Sequence, residues 1–376
     1  MAASDMAKGG RLETLDSIRG LAALGVAVMH YGAVFNTPVA WSLLAPIYGR
    51  GWLFVDLFFS LSGYVLCHTY LSALNDRSHL RDFMIRRLAR LYPLHFVTLM
   101  LCVGLQFVLA DQGGYRSENA DAYHFALNLL LLQNSGLQAG GSFNGISWSI
   151  SCEFIINIVF AFWCIGSRRR WAVWVGLAAF ALAMLMAEKG RIGEFEENYL
   201  WVFNSGLLRC ALSFSLGVLV YRLGGMVAGI RGRWADAAFF MTLLLVIAGM
   251  ALIGLHAVSE RWDFALVALG FPSLIFFAAR SEGPFTRLMR WRGLVWLGTV
   301  SYSIYLCHMF LIDLVGWLAR KGWIPGTGSP ATFGLFLATV LAVSAFAFHT
   351  VEVPGKHWML RRLRRSLPMN ASSAKA

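Results

Sequence analysis

Two side chains able to do chemistry, Arg19 and His30, sit in one apolar stretch, Leu15-Asp-Ser-Ile-Arg-Gly-Leu-Ala-Ala-Leu-Gly-Val-Ala-Val-Met-His30-Tyr31. In a helix, eleven residues amount to three turns plus about 20°, so both project from one face, about 16 Å apart along the axis. A guanidinium holds anions, and an imidazole exchanges protons near neutral pH. The pair therefore suits a long ligand threaded along one helix face, with an anion held at Arg19 and chemistry performed at His30. Asp16 completes the polar set of this stretch. A plainer role is open to the same residues, with Arg19 reaching for headgroups and His30 bonding a neighbouring carbonyl.

Three further clusters carry reactive types. In Arg81-Asp-Phe-Met-Ile-Arg-Arg87-Leu-Ala-Arg90-Leu-Tyr-Pro93, Arg87 and Arg90 are three apart and share a helical face. Such a pair clamps phosphate, although a basic loop on the inner side of a membrane needs no ligand to explain it. The segment is expected to be a loop, with Pro93 turning the chain into the next span. In Ser147-Trp148-Ser149-Ile-Ser-Cys152-Glu153, the carboxylate of Glu153 could orient and charge-stabilise an imidazole. Cys152 could act as a nucleophile, but no neighbour that would lower its pKa is evident. In Ser301-Tyr302-Ser-Ile-Tyr305-Leu-Cys-His308, two phenols and a second imidazole fall on neighbouring helix positions. A buried tyrosine hydroxyl ordinarily just finds a hydrogen-bond partner.

The elements that must position these groups are membrane helices. Of the 376 residues, 58% are hydrophobic and 14% charged, with 28 Phe, 14 Trp and 11 Tyr, and the mean hydropathy is +0.60. A soluble domain carries about 25% charged residues. The composition also excludes a disordered chain, a coiled coil and a disulfide-stapled module. Apolar stretches fall near 15–35, 52–72, 94–111, 146–165, 171–187, 199–221, 236–256, 264–280, 293–318 and 331–351, each about long enough to cross the hydrocarbon core. An all-α integral membrane protein of about ten transmembrane helices follows, with 94–111 and 264–280 short enough to be tilted or re-entrant.

The net charge of +12 could suggest nucleic acid, but placement decides against it. With the N-terminus inside, Lys and Arg in the inner loops outnumber those in the outer loops roughly three to one, a positive-inside pattern that puts both termini in the cytoplasm. Arg19 and Arg209 lie within spans. The widest gap, 112–145, is too short for a conventional soluble domain. The N-terminal stretch does not read as a cleaved signal peptide, since it contains Arg19 and His30. All six cysteines fall within spans and are expected to pack as small hydrophobes. None has metal-type spacing, so no metal is expected.

Taken together, the motifs resemble the membrane-bound acyltransferase-3 family, bacterial proteins that O-acylate cell-surface and secreted carbohydrates. The resemblance rests on Arg19 and His30 with ten residues between them, Val55-Asp56-Leu-Phe-Phe-Ser-Leu-Ser-Gly63, Arg87-Leu-Ala-Arg90-Leu-Tyr-Pro93, Trp148-Ser149-Ile-Ser-Cys-Glu153 and Ser301-Tyr302-Ser-Ile-Tyr-Leu-Cys-His308, in that order. A final Val351-Glu-Val-Pro354 looks like the family's Glu-x-Pro, with Val353 where an Arg is common, which puts a role for that site in doubt.

The resemblance implies that His30 is the catalytic imidazole and that Arg19 helps hold the donor. It implies that Arg87 and Arg90 grip the phosphates of acetyl-CoA, and that Glu153 partners the acceptor or His30. Asp16, Asp56, Trp148, Ser149, Tyr302 and His308 are supporting residues. It also implies a cytoplasmic segment 1–14, a transmembrane acyltransferase domain 15–358 and a basic, disordered tail 359–376 in a multi-pass inner-membrane protein. No tightly bound cofactor is expected; acetyl-CoA is the donor substrate, and a carbohydrate or glycolipid is the acceptor. Many relatives carry an extracytoplasmic hydrolase-like domain, for which this chain has no room, so the membrane domain would deliver the acyl group itself. His30 would act as general base on the acceptor hydroxyl or take the acyl group transiently. A competing reading is a transporter or flippase for a glycolipid or polysaccharide, with Arg19, His30 and Glu153 lining the path. A structural membrane subunit, its polar residues merely paired with one another, is a third.

Overall fold

The computed structural model of the chain describes residues 12–35, 49–71, 74, 77–109, 119–164, 171–188, 192, 198–199, 203–227 and 229–365. The protein is an all-helical membrane-type bundle. In chain order the helices are α1 (Glu13–Phe35), α2 (Phe54–Tyr70), α3 (Arg77–Leu109), α4 (Ala122–Leu129), α5 (Trp148–Cys164), α6 (Trp171–Glu188), α7 (Ser205–Met226), α8 (Arg233–Gly254), α9 (Glu260–Ala278), α10 (Pro284–Met289), α11 (Arg292–Thr299), α12 (Ser301–Arg320), α13 (Pro330–Ala347) and α14 (Val353–Arg365). Among the described residues, nine helices are long and apolar enough to cross a membrane, α13 and α14 forming one continuous rod. The shorter α6 makes a tenth candidate, so the expected number of spans is met. The only strands described are the two-residue pair β1 (Asn198–Tyr199) and β2 (Phe203–Asn204).

Close backbone approach ties the bundle together where glycines face each other. A Cβ on Gly63 of α2 would run into the Phe214 carbonyl of α7, and one on Gly217 of α7 into the Ser60 carbonyl of α2. Likewise Gly20 of α1 lies against the backbone of Gly298 in α11. Small residues at such crossings substitute for the hydrophobic drive that is missing between helices in lipid. The α1–α11 crossing also sets the site, because it brings Arg19 within reach of Ser301 and the Gly298 carbonyl.

Two expectations change. Residues 77–93 are not a loop: α3 runs unbroken through them, with Pro93 inside the helix. A proline costs the helix one hydrogen bond and crowds the carbonyl four residues earlier. Here its ring packs against Gly355 of α14, where a Cβ would not fit, so tertiary packing holds the helix through the break. Second, α14 continues to Arg365, past the expected start of the tail at 359; the rest of that tail lies outside the described residues, as does most of the segment 1–14. The short span near 264–280 is extended at its start in α9 by a 3-10 turn at Glu260–Trp262, and it contains a π-turn at Leu266–Gly270. A second π-turn, Phe348–Glu352, precedes Pro354. The five cysteines with described side chains are free and buried, as expected of small hydrophobes.

Contacts sort the loops into two ends of the bundle. At one end Ser17 Oγ donates to the Met289 carbonyl (2.5 Å), and Arg280 donates to the Val227 carbonyl (2.7 Å). At the other, Arg50 pairs with Glu260 (2.6 Å), and Tyr31 donates to the Thr327 carbonyl (2.7 Å).

Candidate active site

A cavity of about 140 Å³ lies among α1, α2, α3, α5 and α12. Its polar lining is Arg19, Ser62, Arg87, Arg90, Ser149, Glu153, Ser301, Tyr302 and Tyr305; the remaining wall is apolar, including Val55, Phe58 and Ile150. The structure thus brings Arg19, Arg87, Arg90, Glu153, Ser149 and Tyr302 together in one place, from four helices. Because α3 is helical from Arg77, its arginines are carried into the bundle rather than left on a surface loop.

Each cavity arginine has its own carboxylate. Arg19 Nη2 bonds Asp16 Oδ1 (2.7 Å) and the Gly298 carbonyl (3.2 Å), and its Nε bonds Ser301 Oγ (3.1 Å). Arg87 pairs with Glu153, which also accepts from Ser62 Oγ (3.0 Å). The Nε of Arg87 is buried and has no hydrogen-bond partner among the described residues. Arg90 pairs with Glu352, whose side chain is 1% exposed and whose other oxygen accepts from Ser303 (2.8 Å). The Arg90 guanidinium also lies 5.4 Å from the Tyr302 ring centroid, while the Tyr302 hydroxyl donates to the Leu91 carbonyl (2.5 Å). Isolated charges in hydrocarbon cost several kcal/mol; pairing is what lets these side chains sit there. Glu352 belongs to the Glu-x-Pro motif whose role the sequence left in doubt. Its carboxylate is held by Arg90 and Ser303.

The imidazoles lie beside this cavity, at Tyr305. That ring lines the cavity and meets His308 edge to face at 5.9 Å. Ser149 Oγ donates to the Tyr305 hydroxyl (2.8 Å), which donates to the Ile146 carbonyl (3.0 Å). His308 Nδ1 stands 3.1 Å from the Ile304 carbonyl, and His30 Nδ1 stands 3.0 Å from the Val26 carbonyl and 3.2 Å from His308 Nε2. A carbonyl only accepts, so both Nδ1 atoms must carry protons. His308 Nε2 is then an acceptor, and His30 Nδ1–H is shared between it and Val26. The consequence is chemical: His30 Nε2 keeps a lone pair that no described group occupies. Glu153 takes no part in this arrangement. Its hydrogen bonds among the described residues go to Arg87 and Ser62, and His30, one of the two partners expected for it beside the acceptor, is held by Val26 and His308.

Asp56 and Trp148 gather around an arginine that the sequence marked only as lying in a span. Arg209, 1% exposed, donates to Asp56 (2.6 Å). Its guanidinium lies between the rings of Trp52 and Trp148, 5.1 and 5.3 Å from their centroids. Ser213 adds a hydrogen bond to Asp56 (3.2 Å). Two charged residues in separate spans, Asp56 and Arg209, were the available signal for this pair.

Comparison with known proteins places this geometry in context. A family profile described as "Acyltransferase domain" matches residues 12–349. Acyltransferase MdmB of Streptomyces mycarofaciens is 27% identical over 91% of this chain and 90% of that protein. The exopolysaccharide production protein ExoZ of Rhizobium meliloti (strain 1021) is 25% identical over 82% of this chain and 90% of that protein. The putative peptidoglycan O-acetyltransferase YrhL of Bacillus subtilis (strain 168) is 25% identical over 90% of this chain, which spans 54% of that protein. No solved structure matches the chain.

Proposed function

The chain belongs to the membrane-bound acyltransferase-3 family, and on that premise we propose that it transfers an acetyl group from cytoplasmic acetyl-CoA to a hydroxyl of a surface or secreted carbohydrate. The names of two relatives, a peptidoglycan O-acetyltransferase and an exopolysaccharide production protein, support a carbohydrate acceptor. The excess of Lys and Arg on one set of loops supports a multi-pass inner-membrane protein whose arginine-lined end faces the cytoplasm.

The observation that carries the reading is the uncommitted Nε2 of His30, fixed by the chain of bonds through Val26, His308 and Ile304. A sugar hydroxyl attacks poorly until it loses its proton, and a positioned base contributes roughly 10² to 10⁴-fold. His30 Nε2 takes that proton as the oxygen bonds to the acetyl carbon. The thioester C–S bond then breaks, and the departing thiolate recovers the proton from the imidazolium. A transient acyl-imidazole would use the same lone pair. The donor arm enters past Arg87, whose free Nε–H offers a hydrogen bond to an oxygen of the arm. It reaches the histidines at Tyr305, the side chain that cavity and imidazoles share.

The test is acetyl transfer by the purified protein in nanodiscs, from labelled acetyl-CoA to surface glycan extracted from a strain lacking the gene. His30→Ala should abolish transfer while the protein still inserts and accumulates. Near-normal transfer by that variant sinks the assignment.

A further inference from the structure

The charge arrangement at the inner mouth of the cavity differs from a simple phosphate clamp. The arginines expected to grip an anionic donor are already engaged: Arg19 with Asp16, Arg87 with Glu153 and Arg90 with Glu352. Arg86, one turn before Arg90 on α3, is engaged with Asp82 (2.6 Å). Four guanidiniums held by four carboxylates present little net charge to a ligand carrying several negative charges.

One cation near these pairs, beyond the cavity lining itself, stands outside them. Lys356 lies on α14, four residues beyond Glu352 and so on nearly the same helix face. Since α3 and α14 are joined by the Arg90–Glu352 pair and by the seating of Pro93 on Gly355, the next turn outward brings Lys356 towards Arg86. Its ammonium interacts electrostatically with Arg90, Arg86, Arg87 and Glu352. Among the described residues it has neither an ion-pair nor a hydrogen-bond partner, and it is half-buried. A lysine crowded by three guanidiniums and facing one committed carboxylate gains more from an anion than from its present neighbours.

We propose that Lys356 binds a phosphate of the nucleotide portion of the thioester donor, at the cytoplasmic mouth of the cavity, and that the α3–α14 seam is the donor's entry site. The inference rests on the acetyl-CoA reading given above and adds a residue to it. A phospholipid headgroup offers the same phosphate chemistry, but the face of α14 that carries Lys356 is the one turned to α3 and Arg90. The opposite face of that helix bears the exposed Trp358. In this scheme the paired arginines steer and orient, while Lys356 supplies a charge that is not already neutralised.

The experiment measures donor kinetics for the full-length protein in nanodiscs of phosphatidylcholine alone, using acetyl-CoA and acetyl-pantetheine, which lacks phosphates. Lys356→Gln should raise the KM for acetyl-CoA about tenfold, the loss of about 1.4 kcal/mol of binding, with kcat at saturating donor retained. It should leave the KM for acetyl-pantetheine where the wild type has it, and Lys356→Arg should restore most of the acetyl-CoA affinity. An unchanged KM for acetyl-CoA overturns the proposal, and so does an equal rise for both donors, which marks a structural role. A shift that appears only when anionic lipid is added assigns the site to headgroups and also overturns it. If the wild type uses no CoA thioester at all, the acetyl-CoA reading fails and takes this proposal with it. That outcome differs from an active wild type beside an indifferent variant.

Discussion

In the proposed mechanism His30 becomes a base through what its neighbours do to its other nitrogen. The Val26 carbonyl and His308 Nε2 both require a proton on His30 Nδ1, and His308 can make that demand only because Ile304 holds its own Nδ1 proton. His308, fully buried, is thus a positioning residue. Its replacement by Leu removes an acceptor and leaves the His30 ring free to tilt. Misplacement of a reacting group by about 1 Å costs roughly 10²-fold in rate, so His308→Leu is expected to lower kcat by about that factor with little change in donor KM. His308→Gln, which keeps an acceptor oxygen, should recover part of the loss. Steady-state kinetics check both, and equal kcat for wild type and His308→Leu would remove His308 from the mechanism. The spacing of Arg19 and His30 was readable because one helix carries both. The partners of Arg90 and Arg209 were not: Arg90 and Glu352 are 262 residues apart, Arg209 and Asp56 are 153 apart, and nothing in local pattern says which distant charges will meet.

At the scale of elements, α3 shows where local rules mislead. Pro93 reads as a turn, since proline is disfavoured inside helices. The helix passes through it because α14 offers Gly355 as a notch for its ring. The same notch lets α14 approach closely enough for Glu352 to reach Arg90, so a packing detail decides an electrostatic one. The π-turn Phe348–Glu352 adds to this by widening the helix just ahead of Pro354, a device often found at functional sites. Filling the notch should therefore damage function ahead of stability. Gly355→Val is expected to push α14 off α3 at a local cost of about 1–3 kcal/mol, weaken the Arg90–Glu352 pair and raise donor KM several-fold. The thermal midpoint in detergent should fall by only a few degrees. As a control, Gly104→Ala on the same α3, where an added Cβ meets nothing within 4 Å, should change neither. A Gly355→Val protein with wild-type KM would separate the seam from donor binding.

At the scale of the whole molecule, the number of crossings can be argued from one hydrogen bond. Asn134, in the loop before α5, donates to Asn204 at the start of α7 (2.5 Å), so α5 and α7 begin at the same end of the bundle. The chain leaving α5 must therefore recross before α7 starts, and α6 is the apolar helix available between them. Its Trp174, Ala181 and Leu185 are buried in the core, so α6 is packed as a span despite its length. Ten crossings, the nine long apolar helices and α6 among the described residues, would return α1 and α14 to one side, in agreement with the meeting of Arg19, Arg90 and Glu352 at one cavity. Which side that is depends on the charge asymmetry, which the sequence already displayed in its roughly threefold excess of Lys and Arg on one set of loops. A single cysteine at Ala257, exposed beyond α8, should react with a membrane-impermeant maleimide on intact cells. One at Arg287, exposed in α10, should react only after permeabilisation. The buried native cysteines should leave the wild type nearly unlabelled. Labelling of the Arg287 position alone on intact cells would invert the molecule. It would turn the arginine-lined mouth away from cytoplasmic acetyl-CoA and refute the donor path with it.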